Sequence, residues 1–135
     1  MSTRDIKDNV DVIDSLLPAS RTAAGNGAGV DLRGYSSAMV AFHAGVAGGT
    51  SPSFLFDIED SDDDSTYASV AAALLQGTPP TITATKTAGY NVDRVGYIGT
   101  KRYIRAVVKT VTGTSPTLLC SAEVIRGAAL QLPAA

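Results

Sequence analysis

The chain has 135 residues, of which 44% are hydrophobic and 18% charged, with a net charge of -2 and an isoelectric point near 5.2. That length and balance describe one globular domain with its own core and exclude a disordered chain. The acidic balance leaves no basic footprint for nucleic acid, and the single cysteine excludes an internal disulfide.

The N-terminal stretch MSTRDIKDNV is charged and lacks the apolar core of a secretory signal. No apolar run reaches the length of a membrane span. Residues 1–9 read as a flexible polar arm. The body is expected over 10–126, with an apolar, Pro-containing tail over 127–135. Val10, Val12, Ile13, Leu16 and Leu17 form an apolar segment ending at Pro18 that reads as an edge strand, with a brief helix as the alternative. Ala19 to Gly29 is small and Gly-rich, with Asn26-Gly27 as a turn and Gly34 as a bend.

Ser36 to Ala44 alternates as a strand, with Ala38, Val40, Phe42 and Ala44 inward and Met39, Ala41 and His43 outward. A loop is expected from Gly45 to Pro52. Phe54, Phe56 and Ile58 then point inward, with Leu55, Asp57 and Glu59 outward. Asp60 to Ser65 reads as a polar turn. Tyr67 to Leu75 reads as a returning strand through Val70, followed by an irregular or one-turn helical piece; an Ala-rich helix ending at Gly77 is the alternative. Thr81 to Thr85 has strand propensity, and Tyr90 to Ile98 leads into the densest strand signal of the chain.

That signal is Val95 to Val111. Ile104, Ala106 and Val108 form an apolar face assigned to the core. Tyr103, Arg105, Val107, Lys109 and Val111 form the opposite face. It reads either as a solvated face whose valines are covered by long side chains or as a protein contact, since Tyr and Arg are enriched in interface cores. Gly113 is expected to turn the chain into a hairpin whose second strand, Thr117 to Arg126, directs Leu118, Cys120, Ala122 and Val124 inward. Together these elements predict an all-β, jelly-roll-like antiparallel sandwich of about seven or eight short strands.

Three segments carry a family resemblance: V-D-L-R-G-Y-x-S-A-M-V at Val30–Val40, S-D-D-D-S-T-Y-x-x-V at Ser61–Val70, and R-V-G-Y-I-G-T-K-R-Y-I-R at Arg94–Arg105. In that order and spacing the chain resembles small virion proteins encoded near the major capsid protein in tailed phages and prophages. The resemblance implies a capsid cement or decoration protein of jelly-roll type on the outer capsid surface, made in the host cytoplasm. It implies the major capsid protein as a partner, self-association as a homodimer or homotrimer, no cofactor and no enzymatic activity. A head-tail connector or tail component is the alternative. The S-D-D-x-S-T-Y hairpin also occurs in carbohydrate-binding sandwich modules, although the absence of Trp weighs against that function.

Several constellations invite a chemical reading. The acidic run Asp57, Glu59, Asp60, Asp62, Asp63, Asp64 has the carboxylate density of a calcium site, but lacks the glycine and distal glutamate of an EF-hand loop; a solvated hairpin tip is the simpler expectation. His43 is the sole histidine and has no companion ligand in the sequence. Gly25-Asn26-Gly27-Ala28-Gly29 lacks the Lys-Ser/Thr ending of a phosphate loop. Cys120 sits on an apolar face and reads as a small core residue. Arg94, Lys101, Arg102, Arg105 and Lys109, with Tyr90, Tyr97 and Tyr103, could form a stacking nucleic-acid face. Alternation separates them, so protein contact through Tyr97, Tyr103, Arg105, Val107 and Lys109 is the expected use.

Overall fold

The long elements follow the period-two alternation of the sequence, and their pairing is antiparallel throughout. The structure is a computed structural model that describes residues 6–84 and 92–129. Within them lie ten strands: β1 (Asp11–Arg21), β2 (Gly25–Asn26), β3 (Val30–Asp31), β4 (Tyr35–Ala44), β5 (Gly48–Ser61), β6 (Ala68–Ser69), β7 (Leu75–Gln76), β8 (Thr81–Thr83), β9 (Val92–Tyr97) and β10 (Tyr103–Ala129). One 3-10 turn spans Ala72–Leu74. The all-β, sandwich-like class matches the sequence expectation. The strand lengths do not follow a regular short pattern: β10 alone is 27 residues long.

β10 is the centre of the fold, but it is not a hairpin. Tyr103 to Thr117 pairs with β5, from Tyr103↔Ser61 to Thr117↔Gly48. The chain then continues in the same direction, and Cys120 to Ala129 pairs with β4, from Cys120↔Ala44 to Ala129↔Tyr35. Consecutive β4 and β5 therefore accompany one unbroken strand, forming a long ribbon that is bent in its middle. The bend falls where residues of left-handed backbone from both strands meet: Gly113 and Ser115 on β10, and Gly49 and Ser51 on β5. A Cβ on Gly49 would come within 2.5 Å of the Ser115 carbonyl oxygen, and one on Gly113 within 2.7 Å of that of Ser51. The glycines thus permit a close backbone approach at a bulged bend, where the sequence had suggested a turn.

The bend divides the pairing into two layers. The first is β1–β10–β4–β9–β7, built on the C-terminal half of β10. The second joins β2 and β3 on one edge of the N-terminal half of β10 to β5 on the other, with β6 and β8 beyond β5. Inward residues match the alternation: Val40, Phe42, Phe54, Phe56, Ile58, Ile104, Ala106, Val108, Leu118, Ala122 and Val124 are all buried in one cluster. The Phe42 and Phe56 rings, one from each layer, meet with centroids 5.5 Å apart at 60°, a tilted contact favoured by the ring quadrupoles.

β1 is an edge strand as expected, but it runs past Pro18 to Arg21. Two register shifts against β10 flank Leu16, and Pro18 falls in the second, where no ladder donor is needed. The first turns two consecutive side chains, Ser15 and Leu16, inward. The Ser15 hydroxyl donates to the Ala28 carbonyl at 2.8 Å and accepts from the Ala106 N–H at 2.9 Å. It therefore joins the edge of one layer to the middle strand of the other.

Other boundaries also shift. Gly48 to Pro52 belongs to β5, so the loop expected from Gly45 ends at Ala47. Gly127 to Ala129 extends β10, which moves the tail boundary outward. Ile6 to Asn9 forms a turn closed by Asn9 N–H to the Ile6 carbonyl. The 67–75 stretch is a short strand and then a 3-10 turn, as favoured above. Tyr90 and residues 130–135 lie outside the described residues.

Candidate functional site

The acidic and basic runs prove to be two sides of one ladder. Antiparallel pairing sets Glu59 opposite Arg105 and Asp57 opposite Val107, so acids of β5 face cations of β10 on the outer surface of the second layer. Arg105 donates to Glu59 Oε1 from Nε at 2.9 Å and Nη2 at 2.6 Å, and its guanidinium lies 4.0 Å above the Tyr67 ring. Lys109 reaches Asp57 at 3.3 Å. The buried Asp57 also accepts from the Ser69 hydroxyl and the Ile58 N–H. Lys101 pairs with Asp62 at 3.0 Å. Opposite charges on neighbouring strands stabilise the pair and fix its register.

At the near end of this ladder, Arg102 holds Asp31 through two bonds of 2.9 and 2.8 Å, and its guanidinium stacks 5.0 Å from the Tyr103 ring centre. The Arg102 contact, with help from the Arg33 N–H, brings the Asp31 carboxyl down to a pKa of about 2. Tyr97 is buried; its hydroxyl donates to buried Asp60 at 2.9 Å and accepts from the Lys101 N–H at 3.1 Å. Burial and the Asp60 carboxylate push the Tyr97 phenol up to about 12. The turn after β5 is organised by Asp63, which accepts from the Ser61 hydroxyl and from the N–H groups of Ser65 and Thr66. Those bonds, led by Thr66, hold its carboxyl below the usual range. Asp64, in left-handed backbone, receives the Tyr67 hydroxyl.

The five residues expected to form a protein contact are thereby separated. Tyr97 and Val107 are buried within the protomer, 5% and 2% exposed, and are not surface contacts. Val107 lies on the outer face between Arg105 and Lys109, with Asn26 of β2 and Asp57 of β5 as its register partners. Arg105 is partly buried and held by Glu59 and Tyr67. Tyr103 and Lys109 remain accessible, and Lys109 is tied to Asp57.

The stacking nucleic-acid face does not assemble either. Lys101, Arg102, Arg105 and Lys109 each meet a carboxylate, and Arg94 lies on the outer face of the other layer, beside inward Val95. The acidic run is dispersed among these partners; among the described residues no three His, Cys, Asp or Glu converge on one point that could hold a metal ion. His43 is exposed on the outer face of β4. Gly27 donates its N–H to the Ala106 carbonyl, and a Cβ there would lie 2.4 Å from that oxygen, so this glycine run is a docking edge for β10. Cys120 is buried in the core, and burial pushes its thiol up.

The sequence reading missed Ser15 and the roles of Asp31 and Asp60, because each takes its role from a partner distant in sequence. It also missed the outer face of the first layer. There Val12 (56% exposed), Leu17 and Leu119 lie along β1 and its partner strand β10, with Ile125 and Met39 half-buried beside them. No protein-family model, curated protein or solved structure matches the chain.

Proposed function

We propose that the protein is a structural component of a tailed-phage virion that binds and stabilises the capsid lattice as a cement or decoration protein. Its partners are the major capsid protein and further copies of itself. One observation carries the reading: the three segments that resemble such virion proteins, weak signals separately, knit into one cluster. Asp31 from the first pairs with Arg102 from the third. Asp62 and Tyr67 from the second meet Lys101 and Arg105 from the third. Held across strands in this way, the three segments have a structural role that needs no substrate.

The exposed apolar groups along β1 and β10 support binding, since an uncovered apolar surface on a small domain is what protein partners cover. The mechanism is distributed contact, in which modest contacts repeated by capsid symmetry add through avidity. Light scattering of the purified protein, with and without capsids of its phage, tests the proposal. A dimer or trimer that co-sediments with capsids is expected. A ring-sized oligomer indifferent to capsids would transfer the protein to a head-tail connector. A monomer that binds no capsid would refute the assembly reading.

A further inference from the structure

We infer that the cleft between residues 32–38 and 97–102 binds one carboxylate side chain presented by an extended acidic peptide of the partner surface. The inference rests on the assembly reading for the source of that peptide. The cleft has a volume of about 300 Å³; Arg33, Lys101 and Arg102 supply its cations, and Ser36, Ser37 and Thr100 its hydroxyls. No carboxylate is among its lining residues. Its walls come from two of the three segments described above. They are held together from outside by the Arg102–Asp31 pair and from below by the buried Tyr97, whose hydroxyl is engaged by Asp60 and the Lys101 N–H.

The charge balance selects the ligand. Asp31 and Asp62 each neutralise one cation, Arg102 and Lys101. The Arg33 guanidinium forms no ion pair among the described residues and acts on Asp31 only through space, while its backbone N–H is bonded to Asp31. Arg33 is therefore the one cation of the cleft that is outside an ion pair among the described residues. Arg102 and Lys101 keep N–H donors beyond those spent on Asp31 and Asp62. A single carboxylate satisfies this arrangement; a polyanion would exceed it.

The volume lies at the low end of ligand clefts, roughly 300–1,000 Å³, which suits one side chain. Beside the cleft, Ile98, next along the chain from Gly99, is 53% exposed, and half-buried Leu32 lines the wall. A free anion leaves this apolar surface uncovered, whereas residues flanking an aspartate or glutamate cover it.

The test is heteronuclear NMR on the full chain, titrated with the acetylated and amidated peptide Ala-Ile-Asp-Leu-Ala, its Asn counterpart, and inorganic phosphate. The Asp peptide is expected to shift amides of 32–38 and 98–102. The Asn peptide and the Arg33→Gln variant are each expected to weaken binding about ten-fold, as loss of a charge-assisted hydrogen bond implies. Arg33→Gln is exposed and breaks no ion pair, so its melting temperature should match the wild type. Equal binding of the Asp and Asn peptides, tighter binding of phosphate, or an unchanged Arg33→Gln affinity would overturn the inference. Capsid co-sedimentation separates the two readings. If wild type and Arg33→Gln bind capsids equally, the cleft assignment fails and the assembly role stands. If wild type ignores capsids while the Asp peptide still binds at the cleft, the cleft assignment stands and the assembly role fails.

Discussion

Replacing Ser15 with alanine removes the hydroxyl that ties β1 to the opposite layer. Ser15 is 4% exposed, and its Oγ serves two backbone groups, the Ala28 carbonyl and the Ala106 N–H. The substitution deletes both hydrogen bonds and orphans two backbone groups, one of them on fully buried Ala106. A net hydrogen bond contributes about 1 kcal/mol, and a buried group left without a partner costs about 1–3 kcal/mol. Partial relaxation of the Ala28 side brings the expected loss to about 2–4 kcal/mol. At ~3–5 °C per kcal/mol for a domain of this size, melting should fall by roughly 6–20 °C. The assay is urea unfolding and thermal melting followed by circular dichroism, with an unchanged urea slope as evidence that the folded surface is intact. Ser20→Ala, exposed on the same strand, is the control and should lie within about 0.5 kcal/mol of wild type. If Ser15→Ala is as mild as Ser20→Ala, the two bonds do not hold the layers together and the reasoning is wrong.

Three further outcomes are expected. Tyr97→Phe removes the donor to buried Asp60 and should cost about 1–3 kcal/mol in urea unfolding. In the wild type the Tyr97 phenol, raised to about 12, stabilises the fold below the ordinary tyrosine pKa and ceases to do so as pH climbs through that value. An ultraviolet titration should therefore show two late-ionising tyrosines, Tyr97 and Tyr67, the latter also pushed up by burial and Asp64, and only one in the variant. Asp31, lowered from 3.8 to about 2, stabilises the fold above its unfolded pKa and loses that contribution as pH falls through the folded value. Melting curves across that window should be flatter for Asp31→Asn than for wild type; identical slopes would refute the Arg102 pairing. For Arg105 and Glu59, each 19% exposed, loss of one partner leaves the other charge poorly solvated. A double-mutant cycle with leucine should show each single variant destabilised by about 1–3 kcal/mol and the double variant by less than their sum. Additive losses would mean that the pair is not coupled.

The strand faces were legible in the sequence, because side-chain alternation is a local consequence of extended backbone. Val40 and Phe42, Phe54 to Ile58, Ile104 to Val108, and Leu118 to Val124 could be assigned inward from spacing alone. The Asp60–Ser65 turn was legible for a similar reason, since Asp63 is satisfied by its immediate neighbours. The candidate site was legible only as residue types. The acidic and basic runs looked like two separate features, a cation site and a basic patch, because nothing local states that Glu59 will lie opposite Arg105.

By itself, then, the sequence determined an all-β chain, the inward side of its four most regular strand segments and several of the places where the backbone turns or bends. Tertiary structure decided what those bends become. Gly113 allows left-handed backbone in a hairpin turn and in a bulged bend alike; pairing with Gly48 to Ser61 on both sides of it, continued by Tyr35 to Ala44 from Cys120 onward, makes it a bend in one continuous strand. Pairing also decided that Tyr97 and Val107 are interior and that the cations of β10 are already matched. The physical reason is range: alternation and backbone freedom act over a few residues, whereas burial and charge pairing depend on partners here separated by tens of residues along the chain.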